Sequence, residues 1–547
     1  MLSQVAGFAV CVRVMKFACI PHTQIPGSSR IFLDLLYHYD RVQDLYAHPP
    51  TLEGIEQAAG RIDYPDERRA EVVAALRAQN TDTGAAVEAN LDKLAQPGTV
   101  VIATGQQVGL LGGPAFATYK ALTAVRYAAA LEERGIPAVP VFWLATEDHD
   151  LDEVSVAALL DRNSHEMDMR VSSDAAPGAP AGPAPVRGLS LEDLRAAVEG
   201  MDFSAETLAI AEAAYGGEPT FGDGFKALWR KLFADRGLIL LDPLDPALRR
   251  VASPVLRQAL DERAEVAADL AERGADLEAR GYHQQVAAPA DGVLLFRFEN
   301  GKRTPLRYES GAYKAGRHSY THAELQALLE SEPEQFSPNA LLRPVVQDFL
   351  LPTAALIGGP AELAYWAQSA VLYDRLLGRM PAALHRASFT LLDSRSSKLL
   401  AKYGLTLRDC MTYEAELRQR MAAHLTPPDL SAQFERQGKA VDRALADLRG
   451  SLEAFDPTLV EALDRSARKI RYQFEKIQGK TSREIMRRDE RSSDDADRLI
   501  AWLYPHRGQQ ERRYSILSFQ ARFGERLYAE IYDAIRPECA DHQALVI

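Results

Sequence analysis

The stretch TVVIATGQQVGLLGGP (99–114) carries the fold assignment. Its first seven residues form a short apolar run that ends in glycine, the pattern of a strand buried on both faces rather than of an alternating surface strand. Gly105, Gly109, Gly112 and Gly113 then allow turns that side chains would block, and Pro114 opens a helix that stops near Gly135 and Pro137. A second strand-like run, AVPVFWLAT (138–146), follows. A strand, a helix and a strand with roughly 30 residues between like positions predict a parallel crossover. Further out, a helix over 222–236 leads into GLILLDP (237–243), and LPTAALIGGP (351–360) and ALHRASFTLLD (383–393) add strand candidates. Together they predict an α/β chain with a doubly wound parallel-sheet core.

Two insertions interrupt that core. DAAPGAPAGPAPVRG (174–188) reads as a loop or linker, and 255–330 holds a charged helix and a β-hairpin turning at Gly301. The first hundred residues read as mostly helical after an extended opening through Pro21 and Pro26. Near the C-terminus, Phe434, Val441, Leu445, Leu448, Leu452 and Phe455 follow heptad spacing as far as the breaker Asp456-Pro457. Leu463, Ala467, Ile470, Phe474 and Ile477 then resume it, which describes an antiparallel helical hairpin. The expected parts are 1–98, mainly helical; 99–254, first half of the core; 255–336, the connecting insertion; 337–409, second half of the core; and 410–547, coiled coil and helices.

The 547 residues carry 76 acidic against 63 basic side chains, a net charge of -13, which argues against a broad nucleic-acid binder. Cys11, Cys19, Cys410 and Cys539 form no CxxC pair, so a structural zinc site is not expected and a reducing, cytoplasmic setting is. No apolar run suggests a membrane helix, and the opening MLSQVAGFAVCVRVM reads as an extension with Met15 as an alternative start.

Three segments hold the candidate chemistry. In ATGQQVGLLGGP (103–114) the glycines and a helix N-terminus suit a phosphate or carboxylate, and Gln106 and Gln107 suggest hydrogen bonds to a ligand; a tight turn is the structural alternative. In TEDHDLDEV (146–154), Glu147, Asp148, Asp150, Asp152 and Glu153 crowd His149. Such carboxylates repel unless a cation joins them, whether a metal ion, an arginine or a substrate ammonium. A general base here is typically worth roughly 10²–10⁴ in rate; the alternative is a solvated loop with a capping aspartate. In SPNALLRPVVQDFLLPTAALIGGPAELAYWAQ (337–368), Asn339, Arg343 and Gln347 are spaced to share a helix face, flanked by Asp348, with Arg343 a fork for carboxylate or phosphate. Gly358-Gly359-Pro360 repeats the strand–glycine–helix device, with Glu362 in the first helical turn. SRSSK (394–398) reads as a capped helix start.

Taken together, these segments, with KLFADRGLILLDPLDPALR (231–249) and RASFTLLDSRSSKLLAKYGL (386–405), resemble the cysteine-adding family of bacillithiol biosynthesis (BshC) from about residue 20 to the C-terminus. The resemblance implies a Rossmann-like core with connecting-peptide insertions and a dimerising coiled coil. It also implies a ligase joining L-cysteine to the amine of glucosaminyl-malate. The apolar N-terminal extension and the Pro/Gly/Ala loop depart from the family pattern. On this reading His149, Asp148 and Glu147 are catalytic. Thr104, Gly105, Gln106, Gln107, Gly109, Lys120, Asp150, Asn339, Arg343, Gln347, Asp348, Gly358, Gly359 and Glu362 bind substrate or nucleotide. ATP or ADP is expected, with magnesium only alongside it and no other metal. Partners are the two substrates and a second copy of the chain, with neither nucleic acid nor membrane. The alternatives are a nucleotidyltransferase acting on another small metabolite and a coiled-coil nucleotide-sensing scaffold.

Overall fold

Val100 to Gln106 form a strand, β1, because alternate side chains find apolar cover on both sides. Val100 and Ile102 pack among Ile55, Tyr127, Ala128 and Leu131, whereas Val101 and Ala103 join the larger core with Leu91, Val139 and Ile239. A strand covered on both faces belongs in the middle of a helix-flanked sheet. The computed structural model describes residues 17–289 and 291–547; Cys11 and Met15 lie outside them. β2 (Ala138–Leu144), β3 (Ile239–Leu241), β4 (Thr353–Gly358) and β5 (Ala382–His385) complete the sheet. The order is β5-β4-β1-β2-β3 with every neighbouring pair parallel. This is a Rossmann-like core: the chain winds outward from β1 on one side and from β4 on the other, leaving a switch point between them.

Helix α1 (Ala115–Glu133) crosses from β1 to β2. Between β3 and β4 come α2 (Pro246–Asp261), a second helix (Arg263–Ala279) and a five-stranded antiparallel sheet. Its hairpin pairs Gly292–Glu299 with Lys302–Glu309. The two turn residues, Asn300 and Gly301, both have positive φ, 51° and 75°, as a two-residue turn between twisted strands requires. Then follow α3 (Arg343–Leu350), β4, α4 (Pro360–Leu376) and β5. The proline-rich loop stays within this unit: Ala181 and Ala184 are buried, and the Gly182 N–H donates to the Thr146 carbonyl at 2.8 Å. The run 383–393 is two strands rather than one. β5 ends at His385, and Ser388–Leu392 begins a separate strand outside the parallel sheet.

The chain divides into two compact units. Among the described residues the first holds 17–162, 166–389 and 511–545; the second holds 163–165, 390–510 and 546–547. Segment 511–545 thus returns to the first unit, where His542 to Leu545 pair antiparallel with Phe17 to Ile20. The second unit is helical and is built on the hairpin of α5 (Pro428–Phe455) and α6 (Thr458–Arg488). Phe434 meets Phe474 edge-on at 5.8 Å, and Arg471 pairs with Asp442 at 2.8 Å. Asp393 caps the helix Ser394–Lys402 by accepting from the Ser396 N–H at 2.7 Å. Among the described residues no helix is long and apolar enough to cross a membrane.

Candidate functional site

The carboxyl ends of β1, β2 and β4 open on one cavity of about 470 Å³ in the first unit. Gly105, Gln106 and Gln107 reach it from β1, Glu147 and Asp148 from the turn after β2, and Gly359 to Glu362 from the start of α4. Gly105 is required by packing: a Cβ there would lie 2.7 Å from the Trp143 carbonyl oxygen on the neighbouring strand.

One side of the cavity is acidic. The Gln107 Nε2 amide donates to Asp148 Oδ2 at 2.8 Å and to Glu153 Oε2 at 2.7 Å, holding two carboxylates together. Glu147 is only 3% exposed. Its Oε2 accepts from Arg249 Nη2 at 2.5 Å, while its Oε1 is buried without a partner. A carboxylate oxygen left so carries a desolvation penalty that a donor in the cavity would relieve. Arg303 flanks this side, donating to Ser337 Oγ at 2.9 Å and to the Pro338 carbonyl at 2.6 Å, with its guanidinium 4.0 Å over Phe296. Burial pulls Arg303 below its ordinary pKa, against the opposing pull of Glu147 and Asp148.

The opposite wall is cationic. Buried Lys120 donates to the Gly105 carbonyl at 2.8 Å and to Gln106 Oε1 at 2.9 Å, and pairs with Glu362. Burial lowers its pKa and Glu362 resists the shift. Arg343 donates to Gln347 Oε1 and to the Tyr365 hydroxyl, each at 3.3 Å. Arg386 and Arg512 complete the wall.

The structure therefore brings together Gly105, Gln106, Gln107, Lys120, Glu147, Asp148, Asn339, Arg343, Gly359 and Glu362. It places the other expected residues elsewhere, each for a physical reason. Thr104 spends its hydroxyl on the Ile357 carbonyl at 2.8 Å, tying β1 to β4. Gly109 lies in the turn, where a Cβ would come within 2.9 Å of Gly113 Cα. At the helix start behind that turn the Ala115 N–H is spent on the Tyr514 carbonyl at 2.8 Å. His149 stands outside the lining, 44% exposed, with Nδ1 3.5 Å from Arg303 Nη1. Asp150 caps the short helix Leu151–Val154. Gly358 packs on Trp366, whose ring would stand 2.7 Å from a Cβ.

Asn339 shares no helix face with Arg343: α3 begins at Arg343, and Asn339 Oδ1 instead accepts from the Leu341 and Leu342 N–H groups. Gln347 is buried behind Arg343, and Asp348 lies in the core, hydrogen-bonded by Tyr373, with burial pushing its pKa up to about 6. Sequence reasoning missed Arg303, Arg386 and Arg512 in the lining and Arg249 behind Glu147. Arg249 and Arg386 sat inside quoted segments, but nothing in their spacing ties them to partners a hundred residues away. Among the described residues no group of three or more His, Cys, Asp or Glu is placed to hold a metal ion.

Comparison with known proteins covers the chain from residue 15 onward. Residues 15–387 match the family model described as bacillithiol biosynthesis BshC, N-terminal Rossmann-like domain. Residues 389–547 match that of its C-terminal coiled-coil domain. A protein of Solibacter usitatus named "Putative cysteine ligase BshC" is 45% identical over 534 residues, 97% of this chain and 100% of that protein. One of the same name from Koribacter versatilis is 37% identical over 531 residues, 96% and 99% of the two chains. Another from Symbiobacterium thermophilum is 34% identical over 491 residues, 85% and 88%.

Proposed function

Because this chain belongs to the BshC family of bacillithiol biosynthesis, we propose that it is a cytoplasmic ligase that forms an amide between the carboxyl of L-cysteine and the amine of glucosaminyl-malate. The observation that carries the reading is the two-sided cavity: an acidic side with an unpartnered Glu147 oxygen faces a wall of Lys120 and arginines. Both substrate amines are cations at neutral pH and suit the acidic side. The malate carboxylates suit the cationic wall.

A free carboxylate needs activation before it accepts an amine. In this proposal ATP supplies it: a cysteine carboxylate oxygen attacks the α-phosphorus, pyrophosphate leaves, and an acyl adenylate results. The amine then attacks the acyl carbon, AMP leaves, and the amine proton passes to a carboxylate. In this reading Asp148 and Glu147, which line the cavity, take that proton, and His149 at its margin assists through Asp148, 3.7 Å away. Lys120, whose ammonium is already shared with Glu362, orients the end of β1 and offsets negative charge.

The test is direct. Purified protein with L-cysteine, glucosaminyl-malate and ATP should yield bacillithiol and AMP in equal amounts by mass spectrometry. ADP in place of AMP would refute the adenylate and keep the ligase. No product under any nucleotide would remove the ligase reading and favour the nucleotidyltransferase. A deletion strain should accumulate glucosaminyl-malate and lack bacillithiol.

A further inference from the structure

The cationic wall holds more guanidinium and ammonium groups than carboxylates in direct contact with them. Lys120, Arg343, Arg386 and Arg512 all line it. The acids that pair with them are two: Glu362 with Lys120, and Glu511 with Arg386 at 2.6 Å. Among the described residues Arg343 and Arg512 have no carboxylate in ion-pair contact, and feel Glu147, Glu153 and Glu362 only across the cavity. Three of the four crowd one ring, with Lys120, Arg386 and Arg512 lying 5.8, 5.2 and 5.7 Å from the centre of Phe116. Like charges gathered in a partly dry wall repel, and a bound anion relieves the repulsion.

Arg386 supplies the observation that points to a ligand. It is 2% exposed. Its Nη1 donates to the Ala387 carbonyl at 3.0 Å and its Nη2 to Glu511, yet its Nε is buried without a partner. That Nε faces Gly359, on the cavity lining, where a Cβ would stand 4.0 Å away. Glu511 is itself fully buried and held by the Phe389 N–H at 2.8 Å and the Ser388 hydroxyl at 2.8 Å, so the guanidinium it grips has a fixed direction. Arg512, next in the chain and exposed, has no ion pair among the described residues.

We infer that Arg386 and Arg512 form an anion subsite in the cavity wall that takes a doubly charged carboxylate or phosphate group, with Glu511 as the positioning residue of Arg386. The inference rests on the ligase reading for which anions are present: the malate arm of the acceptor and the phosphates of the nucleotide. It adds that the segment after the coiled coil is part of the site, since Glu511 and Arg512 return to the first unit from the far end of the chain.

Calorimetric titration of the full chain with L-malate and with inorganic pyrophosphate, as separate probes, tests it. At least one should bind the wild type, more weakly as salt rises. Arg512→Gln should weaken that probe roughly tenfold or more, the worth of one charge-assisted hydrogen bond. Loss for malate assigns the subsite to the carboxylates, and loss for pyrophosphate to the nucleotide. Glu511→Gln should weaken the same probe and raise KM for the matching substrate more than it lowers kcat, a split that a merely structural role would not produce. If Glu511→Gln fails to fold, the exposed Arg512→Gln still decides. Binding of neither probe, or equal binding by wild type and Arg512→Gln, overturns the subsite. Probe binding that depends on Arg512 in a protein without ligase activity would sink the ligase reading and keep the subsite; ligation unaffected by Arg512→Gln would do the reverse.

Discussion

At the scale of single residues, the acidic side of the cavity separates chemistry from stability. Asp148 is one-third exposed and held by the Gln107 amide, so Asp148→Asn keeps the volume and leaves the core untouched. Its melting temperature should stay within about 2 °C of wild type while kcat falls on the order of 10²-fold or more, the usual worth of a proton acceptor. Arg249→Met should cost stability as well. It strands a buried Glu147 carboxylate, and breaking such a pair costs roughly 3–5 kcal/mol, to be read from denaturant midpoints. A second residue-scale consequence concerns pH. His22, His385 and His542 cluster in the core, with ring centres 4.9 Å apart for His22–His385 and 6.5 Å for His22–His542, and with Glu511 and Arg386 facing them. Burial holds His22 down to about 3, His542 to about 4, and His385 well below the usual imidazole range. A depressed histidine stabilises the fold fully above its unfolded value of about 6.5 and progressively less as pH falls toward the folded value. Asp348, raised to about 6, has the opposite sign: its contribution is complete below about 3.8 and lost as pH rises through 6. Three groups outweigh one, so the melting temperature should fall steadily from pH 6.5 to 4. His542→Gln should make that slope shallower, and an unchanged slope would remove the histidines as its cause.

At the scale of elements, β1 is the member on which the site depends, and Gly105 is its most constrained position. Gly105→Ala drives a methyl into the Trp143 carbonyl and Cβ, at 2.7 and 2.9 Å. Backbone cannot yield as a flexible side chain can, so the strands must part; we expect a loss of about 1–3 kcal/mol in urea unfolding, together with loss of activity, because Gln106 and Gln107 follow directly. The strands were legible in the sequence because each is a short apolar run between turn residues, and runs buried on both faces need no partner to be recognised. The exception, 383–393, shows the limit: Arg386-Ala387 interrupts the run, and two strands of different sheets look like one long strand when only hydropathy is read. The site was legible where it is local. Gln106, Gln107, Glu147, Asp148 and Glu362 sit within a few residues of strand ends, and strand ends of one parallel sheet share an edge; Lys120 reaches back to that edge from the second turn of α1. Helix-face arithmetic held for Arg343 and Gln347, which hydrogen-bond four apart on α3, and failed at Asn339, because the spacing of four means a shared face only if the helix already exists there. Pro344, near the helix start, and the Asn339 side chain, which caps the turn before it, set the start at Arg343 instead. The arginines escaped for another reason: Arg303, Arg386 and Arg512 meet the cavity, and Arg249 meets Glu147 behind it, through tertiary contacts that no local spacing encodes.

At the scale of the whole molecule, the helical hairpin leaves its apolar seam incompletely covered, and from this we expect a dimer. Leu463 and Ala467 are buried between α5 and α6, and Phe434, Val441, Leu445 and Leu452 are half-buried. Leu448, Phe455, Ile470 and Ile477, from the same heptad runs, are exposed at 48%, 83%, 43% and 57%. Ile470 and Ile477 stand one heptad apart on α6 and therefore face the same way. A hairpin that needed only itself would carry polar groups at these positions, as it does on its charged outer faces. Fully burying a Leu or Ile is worth roughly 1.5–3 kcal/mol each, so a second copy covering several of them would gain enough to associate at micromolar concentration. The full chain should therefore behave as a dimer by light scattering at micromolar concentration. Ile470→Glu combined with Ile477→Glu should yield a monomer with an unchanged helical signal by circular dichroism, since neither side chain is buried in the hairpin. A wild-type monomer across that range would refute the dimer. The same pair of variants also separates assembly from catalysis: every cavity-lining residue belongs to the first unit, so the monomer should retain the affinity of the cavity for its anions.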